Sequence, residues 1–353
     1  MILPPIGKLY GSVMAARNAL YDRGILRSSA LGARTISVGN LTTGGTGKTP
    51  LVALISEMLV ESGETVCILT RGYGRANPRE RVLVSDGQAV LADAAEGGDE
   101  PAELAARLGG QAIIIADADR LSAGRWALEK FGVTAFVLDD GFQHRRVKRD
   151  LDIVCIDATD PCGGGRVLPA GRLRESFDGL KRADAIVITR SDLVEDTSAI
   201  EERLRARNSS APIFRAATRI WGLVALEEFQ VKAQRTQRGI SGNDQSRDSV
   251  NANYGAFCAV GNPKAFFRTL AQHLGNVAAL VFRKAFADHH SYTQGDIDEL
   301  ARKAKEAGAE SLITTAKDAV KLRSLNFALP CYVAEAGTTI DDEDAFVKLV
   351  VGA

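Results

Sequence analysis

The chain reads TISVGNLTTGGTGKTP over residues 35–50, an apolar run followed by a glycine-rich loop that ends in Lys48 and Thr49. Glycines let backbone N–H groups turn towards one point and hold phosphate oxygens, Lys48 can reach β- and γ-phosphates, and the Thr49 hydroxyl can bind Mg²⁺. Residues 51–59 have helical spacing, so a helix N-terminus should also face the phosphates. The strict pattern has glycine where this chain has Thr42, and the alternative is an ordinary glycine-rich turn. We predict a nucleotide-phosphate loop formed by Thr43, Gly44, Gly45, Thr46, Gly47, Lys48 and Thr49.

Length and composition bound the class of protein. The 353 residues suggest about two domains. The chain is 45% hydrophobic and 25% charged with a formal net charge of zero, so nothing in its bulk charge indicates a nucleic-acid partner. Its five cysteines form no C-x-x-C pair, which argues against a zinc site or a disulfide framework. We therefore expect a globular protein that binds no nucleic acid. We also expect a monomer, although composition does not determine the oligomeric state.

The first 34 residues have the pattern of a basic amphipathic helix. One helical face carries Ile6, Leu9, Tyr10, Val13, Met14, Ala16 and Leu20. The basic residues of this region are Lys8, Arg17, Arg23, Arg27 and Arg34, against the single acid Asp22. This pattern is typical of a helix in a membrane interface, and the alternative is a helix packed on the following domain. We find no apolar run long enough to span a bilayer and no secretory signal, and expect neither.

Apolar runs of strand length alternate with helical patterns along the chain. This alternation predicts an α/β fold of the P-loop NTPase type, with a mostly parallel sheet covered by helices on both faces. The predicted strands cover 35–39, 65–69, 81–85, 111–116, 133–138, 151–157 and 183–189, and later 255–260, 278–282, 311–315 and 330–334. The predicted helices cover 47–62, 99–108 and 120–131, and later 263–275, 293–307 and 340–350.

The composition divides the chain into four parts. The amphipathic helix occupies 1–34, and the P-loop core domain follows over 35–225. A polar linker or insertion covers 226–254, where residues 231–253 are nearly free of large apolar side chains. A smaller C-terminal α/β domain occupies 255–353. A cleft between the two domains is the expected place for an active site.

Two carboxylate motifs are candidates for chemistry. Asp139 and Asp140 end an apolar strand and could hold Mg²⁺ opposite Thr49, and the alternative is a strand-ending Asp-Gly turn. Asp99, in the run GGDEP, precedes a proline and a helical pattern. It could cap that helix or accept a proton from a substrate hydroxyl.

Basic and imidazole groups follow other predicted strands. The run Asp288-His289-His290 holds two of only four histidines, and no nearby cysteine or further histidine completes a metal site. Arg172 lies in the run LPAGRLRE, where it could bind phosphate or lie in a solvated loop. Arg120 could reach a substrate or remain on the surface. Another strand of the C-terminal domain leads into Thr314-Thr315-Ala316-Lys317-Asp318, a run that could face the same cleft.

These runs together resemble those of the tetraacyldisaccharide 4'-kinases, the lipid A 4'-kinases of Gram-negative bacteria. The resemblance covers nearly the whole chain. It rests on SVGNLTTGGTGKTP at 37–50, TRGYGR at 70–75, GDEP at 98–101, LDDGFQH at 138–144, LPAGRLRE at 168–175, CAVGNP at 258–263, ADHH at 287–290 and TAKDAVKL at 315–322. It implies ATP and Mg²⁺ as cofactors and a lipid substrate, tetraacyldisaccharide 1-phosphate, phosphorylated at its 4'-hydroxyl. It also implies peripheral attachment to an anionic membrane surface, at the cytoplasmic face of the inner membrane.

The resemblance also implies roles for single residues. Asp99 would act at the substrate hydroxyl together with a histidine, for which His289 is the first choice and His290 the second. Thr49 and Asp139 would hold the metal with help from Asp140, and Lys48 would stabilise the transferring phosphoryl group. Arg172 would assist in that stabilisation. Tyr73, Arg75 and Arg120 are weaker candidates for contacts with the substrate.

Two other functions use the same phosphate loop. A GTPase or regulatory ATPase would place a base-reading N-K-x-D motif after a strand, where this chain has Thr189-Arg190-Ser191-Asp192. Both the asparagine and the lysine of that motif are missing, so guanine specificity is poorly supported. A soluble P-loop ligase acting on a small carboxylate is the other alternative, and it would not need the basic amphipathic helix.

Overall fold

The computed structural model describes residues 3–232, 253–275 and 280–352. The chain forms two compact units, each built from separate segments. The first unit contains the residues up to Arg71, Asp117–Ala217 and those from Thr338 onward, and the second contains Gly72–Ala116 and Thr218–Gly337. Most of the predicted polar linker lies outside the described residues, and its first part is helical.

The helices are α1 (Leu3–Asp22), α2 (Lys48–Glu61), α3 (Ala94–Gly97), α4 (Asp99–Arg107), α5 (Arg120–Phe131), α6 (Ser198–Arg205), α7 (Leu226–Lys232), α8 (Pro263–Leu274), α9 (Gln294–Glu306), α10 (Ala316–Ala319) and α11 (Glu343–Val347). The strands are β1 (Arg34–Asn40), β2 (Val66–Thr70), β3 (Val82–Asp86), β4 (Ile113–Ala116), β5 (Ala135–Asp139), β6 (Leu151–Asp157), β7 (Ala185–Thr189), β8 (Ile213–Ala225), β9 (Tyr254–Cys258), β10 (Leu280–Ala285), β11 (Ser311–Thr315) and β12 (Cys331–Ile340).

The first unit is built on parallel strands in the order β8-β7-β6-β1-β5-β2. Strands β2, β5, β6 and β7 are buried at every position, which is why they read as continuous apolar runs. β1 lies between β5 and β6, and Val38 pairs with Asp139. The phosphate loop after β1 and the carboxylates at the end of β5 therefore leave the sheet at the same edge.

The second unit contains a parallel sheet in the order β10-β9-β11-β12 and an antiparallel pair, β3 and β4. The loops after β9, β10 and β11 leave this parallel sheet at one edge, and Asp288 and His289 lie in the loop after β10. The α/β class and the mostly parallel pairing predicted from the sequence are confirmed. Strand β8, with Arg215 and Arg219 between its apolar residues, was not predicted.

The predicted domain boundaries differ from the two units. Residues 72–116 were predicted within the P-loop core, but Ala94 and Ala102 share a hydrophobic core with Phe257 and Leu300 of the second unit. The last residues were predicted within the C-terminal domain, but Phe346 packs edge-on against Phe214 of the first unit at 5.1 Å. Apolar patterning shows that a segment is buried and does not show which core buries it.

Helix α1 packs on the first unit through a face of small residues. A Cβ added at Gly7 would lie 3.0 Å from the Ala170 Cβ, and one at Gly11 would lie 3.2 Å from Val167. Among its apolar residues, Ile6, Leu9 and Val13 stay exposed, at 46%, 67% and 57%. No helix in the described part of the chain combines the length and hydropathy needed to cross a bilayer.

Candidate active site

The phosphate loop begins where β1 ends and leads directly into α2. Gly44 and Gly47 have φ values of 106° and 75°, a backbone region in which a Cβ is strained, so glycine is needed at both positions. Gly47 immediately precedes Lys48, the first residue of α2. The unpaired N–H groups of the first helical turn therefore face the space enclosed by the loop.

Hydrogen bonds from three other segments hold the loop in shape. The Asn40 side-chain amide donates to the Thr46 hydroxyl at 2.9 Å, and the Thr189 hydroxyl donates to the Thr46 carbonyl at 2.7 Å. The Thr43 N–H donates to the Arg172 carbonyl at 2.7 Å. A loop fixed in this way presents its amides to a phosphate without reorganisation. Asn40 and Thr189 were not singled out from the sequence for this role.

Asp139, the last residue of β5, is 2% exposed. Its Oδ2 accepts a hydrogen bond from the Thr70 hydroxyl at 3.0 Å, and Arg120 donates to its backbone carbonyl at 2.8 Å. No cluster of three or more histidine, cysteine or acidic side chains suited to a metal occurs among the described residues. A carboxylate and the Thr49 hydroxyl are the donors with which P-loop proteins hold Mg²⁺ beside nucleotide phosphates, so this donor set fits that ion.

Asp140 pairs with two cations. Its Oδ1 lies 3.6 Å from the Lys48 Nζ, and its Oδ2 accepts from Arg174 at 2.5 Å. Burial alone would raise the pKa of this carboxyl, but Lys48 and Arg174 outweigh burial and lower it to about 2. Asp140 therefore stays ionised and holds Lys48 at the loop. Arg174 lies in a motif noted in the sequence, but its pairing with Asp140 was not predicted.

Arg172 lies beside the phosphate loop. Its guanidinium is about half exposed and pairs with Asp160. Its Nη1 lies 3.9 Å from the point that a Cβ on Gly44 would occupy. The guanidinium is therefore next to the loop and accessible to an anion.

In the second unit, Asp99 is the first residue of α4, and its place depends on close backbone contacts. Gly98, directly before it, has a φ of 100°, and a Cβ there would lie 2.7 Å from the Tyr73 carbonyl oxygen. A Cβ on Gly72 would meet the Gly97 carbonyl oxygen at 2.6 Å. The glycines of the TRGYGR and GDEP motifs thus let the two loops touch and fix where Asp99 projects.

Asp99 and His289 form a hydrogen-bonded pair, called the dyad below. The Asp99 Oδ2 and the His289 Nδ1 are 2.9 Å apart. His289 has a φ of 62°, unusual for a non-glycine residue, and its N–H donates to the Asp288 carboxylate at 3.1 Å. His290, the second choice from the sequence, contacts Asp296 at 3.2 Å instead. The structure thus places His289 beside Asp99.

Charges around the dyad change its protonation. Burial alone would raise the pKa of Asp99, but the His289 hydrogen bond and the Lys321 charge outweigh it and lower that pKa. The hydrogen bond to Asp99 raises the pKa of His289, against opposing effects of burial and Lys317. Asp99 is therefore a carboxylate at neutral pH. Lys321 lies in the TAKDAVKL run, but the sequence did not predict it as part of the site.

The remaining sequence candidates, Tyr73 and Arg75, belong to the second unit. Tyr73 is 45% exposed. Arg75 is 5% exposed, and its guanidinium donates to the carbonyls of Ala116, Pro78 and Glu80 at 2.6–2.7 Å. These bonds tie the loop that carries Tyr73 to the end of β4.

Comparisons with known proteins agree over most of the chain. The model of the tetraacyldisaccharide-1-P 4'-kinase family matches residues 1–352. The tetraacyldisaccharide 4'-kinase of Desulfotalea psychrophila is 38% identical, over 96% of this chain and 92% of that protein. The enzyme of the same name from Geobacter metallireducens is 40% identical, over 89% and 86%. The crystal structure of LpxK from Aquifex aeolicus in complex with ATP has a TM-score of 0.75 at 30% identity and covers 98% of this chain and 96% of that chain.

Proposed function

Because the chain belongs to the tetraacyldisaccharide-1-P 4'-kinase family, we infer that it transfers the γ-phosphoryl group of ATP to the 4'-hydroxyl of tetraacyldisaccharide 1-phosphate in lipid A biosynthesis. The observation that carries this inference is the dyad. A carboxylate held by an imidazole suits the activation of a hydroxyl acceptor. Neither a base-reading switch nor a ligase for small carboxylates explains it.

The donor side of the reaction uses the first unit. ATP phosphates bind the amides of the loop and the start of α2, and Lys48 exchanges its contact with Asp140 for one with the β- and γ-phosphates. Negative charge spreads over the oxygens of the transferring group, where these fixed donors stabilise it. Arg172, beside Gly44, adds a positive charge that is accessible to an anion.

The acceptor side uses the second unit. Among the described residues, none donates a hydrogen bond to Asp99 Oδ1, while Oδ2 is held by His289 and Lys321. Oδ1 accepts the proton of the 4'-hydroxyl as its oxygen bonds to the γ-phosphorus. The bond from that phosphorus to the bridging oxygen breaks with its electron pair on ADP, so the products are ADP and the 4'-phosphorylated lipid.

Magnesium has a suitable place in this scheme. Thr49 and Asp139 would hold it, whereas Asp140 is paired with Lys48 and Arg174. When bound, the ion neutralises charge on the β- and γ-phosphates.

Attachment to a membrane follows from helix α1. Its glycine face packs on the rest of the first unit, and its exposed face carries Ile6, Leu9 and Val13. Two exposed cations lie nearby: Lys8 is in the helix, and Arg23 directly follows it. A lipid substrate requires access to a bilayer, and an apolar face with basic residues binds an anionic interface reversibly. We therefore assign the protein to the cytoplasmic face of the inner membrane as a peripheral protein.

The test is phosphoryl transfer from labelled ATP to a panel of acceptors. Purified protein should label tetraacyldisaccharide 1-phosphate in detergent micelles and should leave soluble glucosamine and water unlabelled. GTP should replace ATP poorly. Hydrolysis of nucleotide without labelled lipid, or equal use of GTP, would favour a switch NTPase.

A further inference from the structure

Two lysines from one short segment contact opposite ends of the dyad. Lys317 lies in α10, and Lys321 follows four residues later in the adjoining turn. The Lys321 Nζ lies 3.3 Å from the Asp99 Oδ2, and the Lys317 Nζ lies 3.5 Å from the His289 Nε2. Each side chain is mostly buried, at 9% and 13% exposure. The proposed function uses only the contact of Lys321 with Asp99 Oδ2 and assigns Lys317 no role.

Lys321 is fixed from several directions. Its ammonium group donates to the His290 carbonyl at 3.0 Å and lies 3.7 Å from the Asp318 Oδ1. Asp318 is fully buried and accepts from the Tyr292 hydroxyl at 3.0 Å and the Thr315 hydroxyl at 2.6 Å. The charge that holds Asp99 Oδ2 therefore has little freedom to move, which leaves Oδ1 as the oxygen presented to a hydroxyl.

Lys317 constrains the imidazole. An ammonium group has only N–H bonds to offer, so its approach to His289 Nε2 is favourable when Nε2 carries a lone pair and unfavourable when Nε2 carries a proton. The proton of the neutral ring then resides on Nδ1, where it donates to Asp99. A 3.0 Å contact between Lys317 and the Asp288 Oδ1 holds the lysine in this place.

We propose that Lys317 and Lys321 are positioning residues that hold the dyad in one state, with Asp99 ionised, His289 protonated on Nδ1, and Asp99 Oδ1 as the proton acceptor. The proposal rests on the kinase function above. Neither lysine contacts the reacting atoms, and each acts through the dyad.

The charged groups facing the dyad come from several segments. Asp99 faces His289 and Lys321, and His289 faces Asp99, Asp288 and Lys317. Behind the lysines lie three acids, Glu100, Glu103 and Asp318. Burial raises the pKa of Glu103 to about 7, so this group can also titrate near neutrality. The variant Glu103→Gln removes this titrating group, so comparing its pH profile with that of wild type separates the contribution of Glu103 from that of the dyad.

The first experiment needs no measurement of activity. Long-range ¹H–¹⁵N NMR of the full chain, which has only four histidines, reports the tautomer of His289. We expect a neutral ring protonated on Nδ1 at a pH above its pKa. In Lys317→Met the fraction of the Nε2-protonated form should rise. A wild-type ring protonated on Nε2, or an unchanged tautomer in Lys317→Met, would overturn the role of Lys317.

The second experiment measures kcat against pH. Lys321→Met should lower kcat about 10- to 100-fold through misplacement of Asp99. Because a positive charge is lost beside the carboxylate, the acidic limb should also move to higher pH by about one pH unit. Lys321→Arg keeps the charge and should preserve the position of that limb. An acidic limb in Lys321→Met at the wild-type pH would overturn the role of Lys321.

Further measurements distinguish a positioning effect of the lysines from misfolding of a variant and from failure of the proposed kinase function. Lys303→Met, on the exposed side of α9, is the matched control and should behave as wild type. If Lys321→Met does not fold, the ¹³C titration of Asp99 in Lys321→Arg and wild type replaces it, and equal pKa values below that of an ordinary aspartate are expected. A usual aspartate pKa in both would overturn the proposal. Wild-type protein that fails to label the lipid would reject the kinase function and leave the NMR result intact.

Discussion

The phosphate loop and the dyad are assembled in opposite ways. The loop comes from one continuous run, residues 42–50, and its shape follows from glycines and the helix that it starts. The dyad joins Asp99 and His289, which are 190 residues apart, and Lys321 lies still further along the chain. A site that needs several backbone amides in a row is encoded locally. A site that needs two side chains at 2.9 Å depends on a packed core.

The comparison predicts that the largest single loss comes from the loop. Lys48→Ala should lower turnover by about 10⁴-fold or more, because it removes the positive charge that stabilises the transferring phosphoryl group. Turnover and thermal unfolding are measured together, with Lys148→Ala as an exposed control in the same unit. Normal turnover in a stable Lys48→Ala variant would reject the assigned role.

The effects of substituting Asp99 and His289 on kcat should be coupled, because the two side chains form one hydrogen-bonded pair. Asp99→Ala and His289→Ala should each lower kcat by roughly 10²–10⁴-fold, as for general base catalysis. If the two act as one unit, the double variant should be little slower than the slower single variant. Losses that multiply would argue that Asp99 and His289 act independently. A near-normal rate for Asp99→Ala would mean that Asp99 only begins helix α4 and takes no part in catalysis.

The two aspartates after β5 should separate metal binding from lysine positioning. Asp139→Asn should raise the magnesium concentration needed for half-maximal rate by at least about 10-fold. Asp140→Asn should instead alter ATP binding, because Lys48 and Arg174 lose their shared partner. Magnesium titrations at saturating ATP distinguish the two. An unchanged titration for Asp139→Asn would move the metal role to Asp140.

Helix α1 offers a milder test on a third region. Leu9→Gln with Val13→Gln should weaken binding to anionic vesicles about 10-fold or more, because both exposed side chains lose apolar burial. Ala15→Gln, also exposed on α1, is the matched control. Lys8→Gln with Arg23→Gln should mainly reduce the salt sensitivity of binding. Co-sedimentation of the apolar variant at wild-type levels would place the membrane contact elsewhere.

The smallest expected effect is on stability. The raised pKa of His289 gives stability that is complete below its unfolded value, near 6.5, and lost as pH rises through the folded value. The lowered pKa of Asp99 gives stability that is present above about 3.9 and lost as pH falls through its folded value. The free energy of unfolding of His289→Gln, measured by urea titration, should therefore fall furthest below that of wild type between about pH 4 and 6.5, by under about 1 kcal/mol for a partly exposed group. A difference independent of pH would contradict this linkage.

The sequence alone determined the elements that depend on neighbours in the chain. The phosphate loop, the buried parallel strands and the helix beginning at Asp99 follow from local glycines, apolar runs and start signals. The α/β class followed from the alternation of apolar runs with helical patterns, and the kinase family followed from motifs in a fixed order. The exposed face of α1 was visible as a 3.6-residue pattern, although the opposite glycine face that packs on Val167 and Ala170 was not.

Only the tertiary structure decided which segments share a core. It joined residues 72–116 to the second unit through Ala94 and Ala102, and it gave Arg75 three backbone carbonyls as partners. It also brought Lys321 to Asp99 and turned His290 towards Asp296. These outcomes depend on contacts between residues distant in sequence. A local pattern specifies burial and periodicity, but the partner of a buried side chain is chosen by the packing of the whole unit.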